Sequence, residues 1–166
     1  RHPDLARILL QPVTVDRKGE VPPGKGPTYE LPVFHDFAGA ITAIYARAFI
    51  RADQTRPQTS RLTVEQDQAL DLLDELAASD AIRLDMDFRA GDMQFLHNHQ
   101  ILHARTAYRD WPEQERRRHL LRLWLSTPHG RPLPGAFAER YGTVAPGAVR
   151  GGIRTAGQRQ VAPLEP

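Results

Sequence analysis

Residues 91–105, GDMQFLHNHQILHAR, decide how the rest of the chain is interpreted, because they place three histidines in one strand-like stretch. Gly91-Asp92 is typical of a turn, and MQFLHNH (residues 93–99) then favours a β-strand. Alternate residues of a strand share a face, so His97 and His99 could converge on one metal ion. The competing interpretation is that each is an ordinary structural or solvated histidine.

A second informative stretch is RHLLRLWL (residues 118–125), an apolar run that carries two arginines four positions apart. In a strand, residues four apart project from the same face, so Arg118 and Arg122 would enter one space. Two guanidiniums among leucines and a tryptophan are costly unless they meet anions. The pattern indicates a dicarboxylate ligand; the alternatives are an internal acid or, for Arg118, a place in the solvated run EQERRR.

Together the two stretches resemble the C-terminal half of the taurine dioxygenase (TauD/TfdA) family of iron(II)- and 2-oxoglutarate-dependent oxygenases. That family shows Gly-Asp, a strand, an Asn, a distal His with an Arg shortly after it, and an Arg-x-x-x-Arg strand. The matching positions in this chain are Gly91-Asp92, Asn98, His103, Arg105, and Arg118 with Arg122. The combination is much more specific than any one of its parts, and the resemblance extends from the first helix to about Gly152.

The resemblance implies a mainly β fold with flanking helices, part of a double-stranded β-helix core of the jelly-roll or cupin-like kind. It also implies that His103, rather than His97 or His99, is the distal ligand of an iron(II) ion. Two neutral imidazoles and one carboxylate would leave three positions for oxoglutarate and dioxygen. The implied activity is that of a non-haem dioxygenase on a small organic acid or amine, with the oxidative chemistry supplied by the metal.

The implied cosubstrate is 2-oxoglutarate. By the same correspondence Arg122 would hold its distal carboxylate, and Arg118 would lie near its carboxylate-keto end. A guanidinium pairs with a carboxylate in bidentate fashion and stays charged at any relevant pH, which explains Arg rather than Lys at these positions. Asn98 and Arg105 are expected to line the substrate pocket.

The chain departs from the family pattern in its upstream part, where the family places an HxD motif that supplies the other two iron ligands. Its one HxD is His2-Pro3-Asp4, which runs directly into PDLARILL, a capped helix rather than a ligand-bearing strand. His35-Asp36 has the right residue types without the spacer, so its side chains would leave opposite faces of a strand. We therefore expect a C-terminal portion of an oxygenase, incomplete on its N-terminal side and inactive by itself.

Periodicity predicts the other elements. Helices are expected at HPDLARILLQ, at PGAFAERYG and, most clearly, at LTVEQDQALDLLDELAASD, where Thr63 and Gln66 form a capping box. Strands are expected around Val13 and Val15, at YELPVFHDFAG and AITAIYAR with a hairpin between them, at AIRLDMDF (81–88) and at HLLRLWLST (119–127). Residues 1–142 are assigned to the oxygenase portion and residues 143–166 to a loose C-terminal tail.

Composition narrows the classes of function. The 22 basic and 20 acidic residues give a formal charge of +2, and no series of aromatic residues accompanies the basic run, so a nucleic-acid partner is not expected. Without cysteine, disulfides and thiolate metal sites are excluded, which favours the cytoplasm. Apolar runs such as AITAIYARAFI are too short to span a membrane.

Two alternatives stay open. One is a homo-oligomer joined through edge strands, and the other is a catalytically inactive β-sandwich that binds a small anion or a protein partner.

Overall fold

A computed structural model describes residues 2–54 and 61–150 of the chain. The helices in these ranges are α1 (Pro3–Ile8), α2 (Arg47–Asp53), α3 (Val64–Ala78) and α4 (Ala138–Tyr141), and the strands are β1 (Pro12–Asp16), β2 (Thr28–Pro32), β3 (Phe34–Phe37) and β4 (Ala40–Ala43). Short 3-10 turns cover Gln114–Arg116 and Gly135–Phe137.

The strands form two antiparallel pairs. β1 pairs with β2, and β3 pairs with β4, as two separate two-stranded sheets. The β3–β4 connection is a two-residue turn in which Ala38 and Gly39 have φ angles of 52° and 75°. Positive φ at both central residues gives a turn whose twist matches that of the flanking strands. The predicted hairpin is therefore confirmed, although β4 ends at Ala43 and is shorter than the predicted strand.

Helix α3 begins as its sequence predicts. The Thr63 hydroxyl accepts the Gln66 backbone N–H at 3.1 Å, and the Gln66 side chain accepts the Thr63 N–H at 3.0 Å. This reciprocal pair satisfies two backbone donors that the first turn of a helix leaves unpaired. In the part of the chain that the structure describes, no helix has both the length and the apolar character needed to cross a bilayer.

Two apolar clusters hold the elements together. The first joins α1, β1, α2 and α3 and is built from Leu9, Val13, Val33, Ile50, Ala69 and Leu70. The second joins β2 to the C-terminal elements and is built from Tyr29, Leu31, Leu133, Phe137 and Tyr141. Buried Arg17, which follows β1, also contacts the C-terminal elements, because its Nη1 donates to the carbonyl oxygen of Glu139 in α4 at 2.9 Å. The 3-10 turn and α4, which together run from Gly135 to Tyr141 and are capped by Gly142, confirm the helix predicted at PGAFAERYG.

The strands predicted at residues 81–88, 93–99 and 119–127 are not formed. These residues are assigned to neither helix nor strand, and large apolar side chains among them are exposed, such as Leu84 at 81% and Leu123 at 83%. A strand is stable only when its backbone groups pair with a neighbouring strand, and no strand of the described residues forms a ladder with these segments. The described residues form no closed sheet, so the double-stranded β-helix stays a prediction.

The predicted C-terminal tail is only partly covered. In residues 143–150 the Arg150 guanidinium donates to the carbonyl oxygens of Val144 and Ala145. Residues 151–166 lie outside the described part of the chain. The domain boundary at residue 142 therefore stays a prediction.

Candidate functional site

All five predicted site residues lie in one long segment, residues 80–129. Asn98 belongs to a turn over residues 98–100, and the side chains of His103, Arg105, Arg118 and Arg122 follow it in chain order. Every one of the five is exposed. The segment joins α3 to the C-terminal elements. Helices therefore flank its two ends, whereas most of its length belongs to neither a helix nor a strand.

The structure brings two of the predicted arginines to one aromatic ring. The Arg105 guanidinium lies 4.2 Å from the centre of the Tyr108 ring and donates to the Tyr108 hydroxyl at 3.1 Å. The Arg118 guanidinium lies 5.7 Å from the same ring, and the Arg118 backbone N–H donates to the Asp110 carboxylate at 3.1 Å. Two cations beside one ring make a local positive potential that suits a small anion.

The arginine-rich turn that follows is ordered by similar contacts. The Arg116 guanidinium lies 3.4 Å from the centre of the Trp111 ring. Arg117 donates to the backbone carbonyl oxygens of Trp111 and Pro112 at 3.1 and 2.9 Å. These guanidiniums therefore have partners within the turn, whereas the predicted cosubstrate residue Arg122 lies beyond it in the exposed apolar run.

The residues described here do not assemble an iron site by themselves. Across residues 2–54 and 61–150, no three His, Asp or Glu side chains are close enough to share a metal ion. A facial triad needs three protein ligands, and the predicted ligand His103 supplies one. The side chains present therefore do not fit a resident iron ion without ligands from elsewhere.

Neither HxD-like stretch changes this result. His2 occupies the N-cap position of α1 without a side-chain capping bond, and Asp4 lies in the first turn, where its carboxylate pairs with Arg7 at 2.7 Å, so the helical assignment is confirmed. His35 and Asp36 are successive residues of β3 and lie at the wall of an open cavity of about 290 Å³. The remaining lining residues of that cavity are Leu10, Phe34, Phe37 and Pro134.

The histidines His97 and His99 do come near each other, with ring centres 6.2 Å apart. They differ in environment, since His97 is exposed and His99 is half-buried. The His99 ring meets Phe137 edge to face at 5.4 Å, and the His35 ring contacts Phe137 at 4.7 Å. Sequence reasoning missed this grouping, because Phe137 follows His99 by a long stretch of chain and no local pattern links them.

Burial keeps two of these histidines neutral. Desolvation lowers the pKa of His35 below 6.5, against a backbone hydrogen bond with Pro32 that raises it. Desolvation likewise lowers the pKa of His99, against a backbone hydrogen bond with Ala43 that raises it, and the neighbouring His97, Arg150 and Arg131 lower it further. Both rings are therefore uncharged imidazoles at neutral pH.

Comparison with known proteins identifies the lineage of the chain. The family model described as "Taurine catabolism dioxygenase TauD, TfdA family" matches residues 2–124, well over half of the 166 residues. FR-33289 synthase of Streptomyces rubellomurinus is 33% identical over 152 residues, which are 86% of this chain and 43% of that protein. The taurine hydroxylase-like protein SAT17 of Stachybotrys chartarum is 42% identical over 62 residues, which are 37% of this chain and 16% of that protein.

The chain spans less than half the length of the curated relatives it matches. The family match contains Asn98, His103, Arg105, Arg118 and Arg122, so it covers each of the motif positions on which the resemblance was based. This chain therefore belongs to the TauD/TfdA family of dioxygenases.

Proposed function

We propose that this chain is the C-terminal portion of a non-haem Fe(II)/2-oxoglutarate-dependent dioxygenase that acts on a small organic acid or amine. The observation that carries the proposal is the family match over residues 2–124, which includes the Asn98, His103 and Arg105 stretch as well as the Arg118 and Arg122 pair. FR-33289 synthase supports it, because its similarity extends along 86% of the chain.

In this proposal the exposed apolar segments are strands of a double-stranded β-helix. Ile82, Leu84, Met86 and Phe88 alternate with charged residues, as in a strand that buries one face, and all four side chains are exposed here. Alternating segments of this kind are stable once partner strands cover the apolar face. We place those partner strands in the part of the full-length protein that corresponds to the uncovered length of FR-33289 synthase.

Cosubstrate binding is assigned to the arginines. Arg122 holds the distal carboxylate of 2-oxoglutarate, and Arg118 lies near its carboxylate-keto end. If residues 118–125 pair as a strand, these two guanidiniums leave the same face and converge on one dianion. Arg105 and Asn98 line the substrate pocket, and the contact of Arg105 and Arg118 with Tyr108 supports a shared anion-binding region.

For iron, His103 is assigned as the distal ligand. The second imidazole and the carboxylate must come from an HxD strand outside the described residues, since no three-ligand group forms among them. The 166-residue chain alone is therefore expected to be inactive and to bind no stoichiometric iron. An isolated imidazole does not hold iron(II) in competition with water.

The substrate class is supported by the names of the family and of one relative, both of which refer to taurine, a molecule with an amine and an acidic group. A small molecule with an anionic group, an amine or both is the substrate class we propose.

The absence of cysteine from the 166 residues supports a cytoplasmic setting, and the exposed apolar segments support self-association of the chain when it is isolated.

The test is iron content in the full-length protein that contains this chain, measured by metal analysis after anaerobic loading. His103→Ala is expected to lose stoichiometric iron. His97→Ala, which changes another exposed histidine of the same segment, is the matched control and is expected to retain it. Iron retained in His103→Ala and lost in His97→Ala would refute the ligand assignment. A full-length protein without any HxD strand would favour the catalytically inactive, anion-binding alternative.

A further inference from the structure

The segment that carries the predicted site touches the folded part of the chain through one side chain in particular. Of residues 80–129, His99 alone is not exposed. The hydrogen bonds within this segment otherwise run mostly between near neighbours, such as Arg89 to Asp92 and Arg105 to Tyr108. His99 is therefore placed to determine whether the segment lies against the folded elements or moves away from them.

Two polar contacts join His99 to β4. The Ala43 backbone N–H donates to the His99 carbonyl oxygen at 2.9 Å, and the His99 Nδ1 lies 3.4 Å from the Ala43 carbonyl oxygen. The first contact extends the edge of the β3–β4 hairpin by one backbone bond. The second depends on the ring, so the two contacts hold the residue at both its backbone and its side chain.

The ring itself covers part of the second apolar cluster. Its centre lies 5.4 Å from that of Phe137 and 5.8 Å from that of Tyr141, edge to face in both cases. Phe137 is fully buried and Tyr141 nearly so. Edge-to-face packing of rings contributes favourable energy beyond the apolar area that is buried.

We propose that His99 is a pH-sensitive latch that fastens residues 80–129 to β4 and to the Phe137–Tyr141 surface, and that protonation of its imidazole opens the latch. The latch is independent of the proposed enzymatic function, because it rests on contacts within this chain. If that function holds, opening the latch frees the segment that carries His103, four residues beyond His99.

The charges around His99 all act in one direction. Arg131 and Arg150 approach from the C-terminal segment and His97 from its own segment, and each disfavours a second positive charge. From the folded elements, α4 contributes Tyr141, whose ring packs against that of His99, and β3 contributes the half-buried His35, which lies against Phe137. Ala43 offers its backbone carbonyl, whose hydrogen bond with the ring raises the pKa of His99 and so opposes these charges, although desolvation has the larger effect. No carboxylate is among the charged groups found to act on His99 in the described part of the chain.

The sign of the pH effect follows from proton binding. In the docked state, with the latch closed, His99 holds a proton less tightly than in the released state, in which the segment has moved away. The pKa of the released histidine is near 6.5. Docking is therefore most favourable above that value and weakens as the pH falls below it. Between the released-state and docked-state pKa values, the docking equilibrium falls about tenfold per pH unit.

The experiment follows amide exchange of Ala43 by NMR in the 166-residue chain, corrected for intrinsic chemical exchange, at about pH 7.5 and about pH 5.5. Protection of Ala43 is expected to drop at the lower pH while Leu70, in α3, keeps its protection. His99→Phe keeps a ring against Phe137 and removes the titration, so its Ala43 protection is expected not to change with pH. The matched control His97→Ala keeps the His99 ring and its titration, so its Ala43 protection is still expected to drop at the lower pH.

Two results would overturn the latch. The first is equal corrected protection of Ala43 at both pH values in the unmodified chain. The second is a pH response that persists in His99→Phe, which would assign the titration to another group such as His35. Both measurements read the Ala43 amide and not iron or turnover, so failure of the latch and failure of the proposed enzymatic function are distinguishable.

Discussion

The Ala43 N–H donates to the carbonyl oxygen of His99 at 2.9 Å, which joins β4 to a turn 56 residues further along the chain. The bond adds one residue of the long exposed segment to the edge of a hairpin. It shows where that segment is held, at the side of the second apolar cluster. The predicted site residues on either side of it are exposed, so this contact is one place at which their segment is held.

The second apolar cluster is expected to depend on Phe137. This ring is 0% exposed and contacts His35, His99 and Tyr141, so Phe137→Ala removes a large buried side chain and leaves a cavity. A loss of about 3–5 kcal/mol in the free energy of unfolding is expected by urea denaturation. Phe95→Ala is the matched control, because Phe95 is 78% exposed and its loss should change stability little. Equal losses in the two variants would contradict the assigned core.

The contact between α2 and α3 is expected to depend on one arginine. Arg47, whose side chain is 17% exposed, donates to Asp67 at 3.0 Å and also pairs with Asp71. Arg47→Ala removes a largely buried guanidinium that pairs with both carboxylates, and about 1–2 kcal/mol of unfolding free energy should be lost. The control is Arg51→Ala, because Arg51 is half exposed and also pairs with Asp67. Its loss should lower the free energy of unfolding by less than about 1 kcal/mol. A larger loss in Arg51→Ala would refute the ranking.

The start of α3 offers a third test. Thr63→Ala removes the hydroxyl that accepts the Gln66 N–H, so the free energy of unfolding should fall by about 1 kcal/mol. Circular dichroism during thermal unfolding measures the change. The control is Thr106→Ala, which alters an exposed threonine of the long segment and should leave the unfolding midpoint in place. An unchanged midpoint in Thr63→Ala would show that the cap does not stabilise the helix.

Stability should fall as the pH is lowered from about 7.5 to about 5.5, because the unfolded chain then binds more protons than the folded chain. His35 and His99 carry the effect, since their folded pKa values lie below 6.5. The loss begins as the pH falls through 6.5 and levels off below the lowered values. Glu139, with its pKa lowered by Lys25, would contribute only at more acidic pH. Greater stability at the lower pH, in urea denaturation, would contradict this account.

Much of the local structure could be predicted from sequence, because the signals are local. The capping box at Thr63, the Ala38-Gly39 turn and the Pro3 helix start each act over a few residues, and the structure forms all three. Helix α2 was missed because Ala46 offers no capping side chain and the preceding AITAIYAR run favours a strand. There, tertiary contact of α2 with β1, through Ile50 and Val13 of the first cluster, decides the conformation.

The remaining predictions depended on partners distant in sequence. Residues 81–88 and 119–127 have the alternation of strands, but pairing requires neighbours that the described residues do not provide. The role of His99 was missed because its partners, Ala43 and Phe137, lie far from it in the chain. A motif can thus assign a family while leaving the geometry of its site residues to long-range contacts.

The proposed function depends on the binding of 2-oxoglutarate by Arg122 in a dioxygenase of the TauD/TfdA family. Its most direct test is succinate formation from 2-oxoglutarate by the full-length protein that contains this chain, loaded with iron(II). Arg122→Ala is expected to abolish turnover and to weaken 2-oxoglutarate affinity, while Arg109→Ala, an exposed arginine of the same segment, leaves both unchanged. An Arg122→Ala protein with normal affinity for 2-oxoglutarate would contradict the account.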